Sequence, residues 1–319
     1  MYINNFREQI LIEPIRNGAD RLCIVSGYAT PSMATWHIQA LNEQNITPIN
    51  INLIVGMCVT EGLSWISHKG FLDVIETYNS IPNYSLFNCQ YIYKGAPVHA
   101  KLYLWLKNNT PFKAFTGSPN YTQTAFSPRQ RELLTDCDPD IAYTFFNDVE
   151  KNTIYCTNND VEECIRLTNS RSILEDDGEV FAPNLENSVK LLLLSRDGEV
   201  GRRSGLNWGQ RDGREPNQAY IPLPAEVARS GFFPTNRQHF FVITDDGKSL
   251  VLRVEQQNNK AITTPENNSR IGEYFRRRLG IANGMPVWKA DLQRYGRTDV
   301  TFCKIDEEHY YMDFSVQSK

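Results

Sequence analysis

One stretch of this chain constrains its fold and chemistry more than any other. Between Val98 and Glu132 it reads VHAKLYLWLKNNTPFKAFTGSPNYTQTAFSPRQRE. The apolar run Val98 to Leu106 is bounded by Gly95-Ala96-Pro97 and Asn108-Asn109, which predicts a strand. Side chains alternate along a strand, so His99 and Lys101 share one face. Phe112 to Gly117 reads as the returning strand of a hairpin, and its end carries Ser118 and Asn120 to the rim that holds His99. An imidazole, an ammonium, a hydroxyl and an amide therefore converge on one small volume. Glu132 follows twelve residues after Asn120.

This His-x-Lys followed by Gly-Ser-x-Asn resembles the half-signature of the phospholipase D superfamily. A His-x-Lys alone is common on ordinary surface strands; the second strand end at this distance gives the resemblance its weight. The set suits a phosphodiester. Imidazole can attack phosphorus to form a covalent phosphohistidine. Lys101 and Asn120 can donate to the non-bridging oxygens, where charge sits in the transition state. Glu132 is the candidate carboxylate to orient the His99 ring, since superfamily members often carry an acid at this distance. Nothing in the set asks for a metal or another cofactor. In the wider superfamily an Asp often follows the Lys by a few residues; here Trp105 and Leu106 occupy that region. The reaction also needs a second histidine as general acid. No second His-x-Lys exists in the chain, so the expectation is a homodimer with one composite site on its axis.

The 319 residues suggest about two domains. Hydrophobic content of 41% with 22% charged residues suits a protein with real cores. No apolar run reaches membrane-spanning length, no secretory h-region opens the chain, and the seven cysteines form no C-x-x-C pair. A cytoplasmic protein with reduced thiols and no membrane association is expected. The net charge of −4 hides an asymmetry: residues 1–187 carry −8 and residues 188–319 carry +4, the latter rich in arginine. That surplus suits phosphate and base recognition.

In the first half, helices are predicted at 4–17, 32–42, 71–79, 142–151 and 161–169, and strands at 21–30, 49–58 and 86–93, besides the motif hairpin. Strands that are apolar throughout and alternate with helices indicate an α/β layered sheet. His37 and His68 read as surface helix or loop residues. Tyr121 and Thr122 read as lining the site or turning away from it, and Arg129 and Arg131 as facing substrate phosphate or solvent. The chain divides into a nuclease-type domain at 1–170, an acidic linker at 171–187, and a second domain at 188–319.

The second domain reads as short strands at 189–194, 219–223, 238–244, 250–254, 300–305 and 310–314, with helices at 225–230 and 271–279. This predicts a small, mainly-β barrel-like fold. Two long polar loops interrupt it, and loops of that length are usually functional. Their residues are those that read bases, Arg for guanine and Asn or Gln for adenine. The first offers Arg202, Arg203, Asn207, Trp208, Gln210 and Arg211; the second offers Gln256, Gln257, Asn258, Asn259 and Lys260. Two such arms would grip a major groove like a wrench. Arg276, Arg277 and Arg278 read as touching phosphate or solvent rather than bases.

Across nearly its whole length the chain resembles the NgoFVII family of restriction endonucleases. Besides the motif, the phrases LNWGQRDGREPNQAYIPLP, QQNNKAITTPENNSRIGEYFRRRLG and RYGRTDV carry the likeness. The resemblance implies a phospholipase D-like nuclease joined to a B3-like DNA-binding pseudobarrel. It implies metal-independent, sequence-specific cleavage of double-stranded DNA, with His99, Lys101, Ser118, Asn120 and Glu132 as the catalytic set. Some relatives are encoded with a DNA methyltransferase and work with a separate ATPase; no Walker motif is present here, so any such ATPase is a partner. Two alternatives stand beside this: a phospholipase D-like phosphodiesterase acting on another substrate, and a DNA-binding regulator that does not cut. The first leaves the arms unexplained, and the complete motif argues against the second.

Overall fold

The structure is a computed structural model describing residues 1–168 and 187–316. The acidic linker expected at 171–187 lies, apart from Asn187, outside the described residues. The chain divides into two compact units, Met1–Ser170 and Arg171–Lys319.

The first unit opens with helices α1 (Phe6–Leu11) and α2 (Glu13–Arg16), then runs β1 (Arg21–Ser26), α3 (Pro31–Glu43), β2 (Asn50–Val55), α4 (Cys58–Glu61) and β3 (Leu63–Ser64). It continues through α5 (Trp65–Tyr78), β4 (Leu86–Ile92), β5 (Lys101–Lys107), β6 (Thr110–Gly117) and β7 (Leu134–Cys137). It ends with α6 (Pro139–Glu150), β8 (Thr153–Tyr155), α7 (Val161–Cys164) and β9 (Leu167–Thr168). Seven strands form one sheet in the order β7-β6-β5-β1-β2-β4-β8. β1, β2 and β4 are parallel, and the strands outside them join antiparallel. One face, with Leu22, Ile24, Leu53, Phe87, Tyr103 and Trp105, packs against Met33 and Ile38 of α3 and Phe71 and Val74 of α5. The other, with Cys23, Val25, Ile54 and Leu104, packs against Ala142, Phe146 and Val149 of α6. Burial on both faces explains why these strands are apolar at every position rather than at alternate ones. The start of α6 is set by Asp138, whose carboxylate accepts the N–H groups of Asp140 and Ile141 at 2.9 and 3.0 Å, with Pro139 at the first helical position.

The expected layered α/β fold is present, with local differences. The opening helix is two short pieces. The helix expected at 161–169 stops at Cys164. His99 lies just before β5 rather than on it, because the chain there crosses the end of β2: the Val98 N–H donates to the Gly56 carbonyl at 3.0 Å instead of to a ladder partner. His37 and His68 are buried rather than on the surface.

The second unit contains β10 (Ser188–Leu192), β11 (Ile221–Pro222), α8 (Ala225–Arg229), β12 (His239–Thr244), β13 (Ser249–Glu255) and β14 (Ala261–Thr263). It closes with α9 (Ser269–Leu279), α10 (Lys289–Tyr295), β15 (Asp299–Lys304) and β16 (His309–Asp313). The strands form one sheet in the order β10-β15-β16-β12-β13-β14-β11, antiparallel except where β12 meets β16. The two edge strands β10 and β11 approach each other, so the sheet nearly closes into a barrel. Its core includes Leu191, Phe240, Val242, Leu252, Ile262, Phe275, Phe302 and Met312. β14 and α10 add to the expected elements. β14 is three residues long and sits inside a polar stretch, too short to show alternation.

Candidate active site and DNA interface

The catalytic candidates gather at one edge of the first sheet, where β1 and β2 end, β5 begins and β6 ends. His99 is exposed and Lys101 is buried. The Lys101 Nζ lies 3.0 and 3.1 Å from the His99 ring nitrogens and donates to the His99 carbonyl at 2.8 Å. Desolvation lowers the Lys101 pKa, and the nearby Glu132 carboxylate opposes that shift. Asn120 is turned by its neighbours: Oδ1 accepts the Tyr28 N–H at 3.2 Å and lies 3.4 Å from Ser26 Oγ. With Oδ1 engaged in this way, Nδ2 is the donor end of the amide. The Tyr28 ring stands edge-on to His99, centroids 5.8 Å apart.

Two close approaches explain the glycines beneath this cluster. A Cβ on Gly27 would lie 2.9 Å from His99 Cδ2, and one on Gly56 would lie 1.9 Å from the Val98 carbonyl oxygen. Only Gly lets the end of β2 pass under the segment that carries His99.

Ser118 Oγ donates to the Glu132 carboxylate, and among the described residues Glu132 makes no hydrogen bond to His99. The carboxylate expected to orient the imidazole thus braces the strand end and faces Lys101 electrostatically. Tyr121 does not line the site. It is fully buried, and its hydroxyl meets His37 Nδ1 at 2.9 Å while His37 Nε2 faces the Leu11 carbonyl at 3.3 Å. Burial pushes the His37 pKa down to about 4, so the ring is neutral: Nε2 carries the proton and Nδ1 accepts from Tyr121. Tyr103 adds a second buried tie, its hydroxyl donating to the Pro119 carbonyl at 2.8 Å. The turn that carries Ser118 and Asn120 is therefore held from below on both sides of Asn120. Arg129 and Arg131 are exposed near Glu132.

In the second unit the first arm is more structured than a free loop. Gly205–Gln210 forms a 3-10 turn. Arg202, Arg203 and Arg211 are exposed, and Arg203 pairs with Asp212 at 3.6 Å. Trp208 is half-buried under the Arg214 guanidinium, 4.0 Å from its ring centroid. Asn207 does not face outward: it is fully buried, with Oδ1 accepting the Val287 N–H at 2.8 Å and Nδ2 donating to the Val287 carbonyl at 2.7 Å. Gln210 is half-buried and donates to the Pro216 and Gly284 carbonyls, each at 3.0 Å. In the second arm Gln257, Asn258 and Lys260 are exposed, while Gln256 and Asn259 are half-buried. Gln256, Asn258 and Asn259 all have positive φ, a tight turn that suits Asn better than most residues.

The arms leave opposite ends of the β11–β14 pairing. Ala219 N–H donates to the Asn268 carbonyl at 3.1 Å near the first, and Leu223 N–H to the Lys260 carbonyl at 2.9 Å near the second.

The arginine run of α9 departs from expectation. Arg276 is fully buried, and its guanidinium donates to five carbonyls: Met285 at 2.8 Å, Asn217 at 3.4 Å, and Gly272, Leu206 and Pro216 at 3.3 Å each. It fastens the base of the first arm to α9. Arg278 pairs with both oxygens of Asp245 at 2.6 and 2.9 Å, and Arg277 with Asp246 at 2.6 Å. A run of like charges looks like a solvated face in sequence; the signal missed was the acidic Asp245-Asp246 turn that neutralises it.

Comparison with known families agrees with this arrangement. Residues 4–163 match the profile of the NgoFVII restriction endonuclease N-terminal PLD domain, and residues 181–306 that of the NgoFVII C-terminal B3-like DNA-binding domain. A phospholipase D-like nuclease domain and a B3-like DNA-binding domain thus follow one another in a single chain. The chain belongs to the NgoFVII restriction endonuclease family. It is a DNA-cutting hydrolase whose partner is DNA. Among solved structures, NucT from Helicobacter pylori aligns over 48% of this chain and 96% of its own, at 14% identity and a TM-score of 0.31. No curated protein sequence matches the chain. Among the described residues no helix is long and apolar enough to cross a membrane.

Proposed function

We propose that this protein cuts double-stranded DNA at a specific sequence, without a metal ion, through a phosphohistidine on His99 in a site shared by two copies of the chain. The observation that carries the shared site concerns the five histidines. His37, His68, His239 and His309 are all buried, and only His99 is exposed. A single chain therefore offers one imidazole to a reaction that needs a nucleophile and a general acid.

In this reading a nitrogen of His99 attacks phosphorus and forms the P–N bond. Lys101 Nζ and Asn120 Nδ2 donate to the non-bridging oxygens as charge builds on them. The bridging P–O bond breaks, and the leaving oxygen takes a proton from the partner subunit's His99. That imidazole, now neutral, removes a proton from water, which attacks phosphorus and breaks the P–N bond. The cation facing the phosphate is Lys101 itself, which is what supports a metal-independent route. Nuclease function is assigned to 1–170 and sequence reading to 188–319, joined by 171–187. The exposed arm residues Arg202, Arg203, Arg211, Gln257, Asn258 and Lys260 are the base-reading or phosphate-binding candidates; Asn207 and Gln210 shape the first arm. A cognate methyltransferase and a separate ATPase, which some relatives have, are candidate partners.

Plasmid incubated with the protein in EDTA should be cut into discrete fragments. His99→Ala should bind the same DNA and leave it intact. Cutting that disappears in EDTA and returns with magnesium would refute the metal-independent route.

A further inference from the structure

We propose that the segment Gly284–Trp288 is a third sequence-reading element, presenting Met285 and Trp288 to the duplex beside the first arm. This rests on the DNA-binding assignment of the second unit and adds a surface that neither arm contains.

The first observation is how the segment is held. The Gly284 N–H donates to Asn217 Oδ1 at 2.7 Å, and the Gly284 carbonyl accepts from Gln210 at 3.0 Å. The Met285 carbonyl accepts from Arg276 at 2.8 Å. Val287 is held through both its N–H and its carbonyl by Asn207. Just beyond, Lys289 pairs with Glu199 at 3.2 Å. Asn207, Gln210 and Asn217 all belong to the first arm or its base. Asn207 and Gln210, which the sequence offers to bases, are thus used to fix this segment to the arm. α9, whose Arg276 holds the Met285 carbonyl, is itself seated on the arm base: a Cβ on Gly272 would lie 1.7 Å from the Asn217 carbonyl oxygen.

The second observation is what the segment displays. Val287 is fully buried, whereas Met285 is 55% and Trp288 52% exposed. An indole left half in water on a firmly held backbone is a large apolar surface kept available for contact. Between Gly201 and Asn217 the exposed charged side chains are Arg202, Arg203, Arg211 and Arg214 against Asp212 and Glu215, a cationic surplus. Apolar contact surface bordered by arginines fits a polyanion with apolar features, and duplex DNA supplies both. Its phosphates meet the arginines, while thymine methyls meet Met285 and Trp288. Because the segment is fixed to the arm, its contacts would be set in register with those of the arm.

The experiment uses the full-length protein and two duplexes: one carrying the site mapped from the ends of cut plasmid, and one with that site scrambled. Trp288→Ala and Met285→Ala alter exposed side chains and should melt like the wild type. Each should bind the site duplex at least tenfold more weakly and the scrambled duplex as the wild type does. Wild-type affinity for both duplexes, or an equal loss on both, would overturn the proposal. A protein partner for this surface would show as unchanged DNA affinity. Failure of the underlying DNA-binding assignment is separable, because the wild type would then not distinguish the two duplexes.

Discussion

Ser118 Oγ donates a hydrogen bond to the Glu132 carboxylate and accepts the Leu133 N–H at 3.0 Å. This pair locks the end of β6 to the start of β7 beside Lys101. The negative charge of Glu132 also favours the protonated form of Lys101, against the desolvation that lowers its pKa. In the proposed reaction Lys101 must carry its proton to stabilise phosphate oxygens, so activity supported by it is present below its pKa and lost above. Glu132→Gln keeps the shape and removes the charge. The alkaline limb of the pH–rate profile for plasmid cutting should move to lower pH. An unmoved limb would uncouple Glu132 from Lys101.

Gly56 supports His99 through backbone contact alone. Gly56→Ala places a methyl 1.9 Å from the Val98 carbonyl oxygen, which cannot move without shifting His99. The expected cost is about 1–3 kcal/mol of stability. Cleavage should fall by more than the loss of folded protein accounts for, while affinity for DNA is retained. Thermal melts and single-turnover cutting on the same sample separate the two effects.

The buried His37–Tyr121 pair predicts an acid-sensitive fold. The His37 pKa lies at about 4 in the folded chain against an ordinary value of 6.5. The unfolded chain therefore binds a proton that the folded chain does not between those values, and stability falls as pH drops from 6.5 towards 4. The span corresponds to about 3 kcal/mol. Urea unfolding at pH 7 and pH 4.5 should show this loss, and His37→Gln should lose less stability over that interval.

Arg276 predicts a defect of a different kind. Arg276→Met fills similar space but takes the guanidinium from five carbonyls, of which that of Pro216 keeps Gln210 as a donor. The expected loss is at least about 3 kcal/mol. Replacing Arg202, by contrast, should leave stability unchanged and weaken DNA binding in a salt-dependent way. Unfolding curves of the two variants, side by side, check the distinction.

These cases show what was legible in the sequence. The α/β sheet was readable because its central strands are apolar at every position. The gathering of His99, Lys101, Ser118 and Asn120 was readable because residues two apart on a chain, or at the end of a hairpin return, have nowhere else to go. The role of Glu132 was harder, since twelve residues of irregular chain separate it from Asn120 and either Ser118 or His99 could receive it. Arg276 and Asn207 were beyond sequence reasoning. Each looks polar and available, and its burial depends on a segment some 80 residues away from Asn207, or about ten from Arg276, folding back onto the first arm. The three-residue strand Ala261–Thr263 was hidden for a similar reason, because pairing with Arg253 to Glu255 rather than local pattern creates it.

The central claim is that cutting requires one His99 from each of two chains. Wild-type and His99→Ala chains co-expressed in varied ratio, so that they assort at random, test it most directly. Plasmid cutting should fall as the square of the wild-type fraction, because a mixed pair holds only one imidazole. A linear fall, each wild-type chain cutting regardless of its companion, would contradict it.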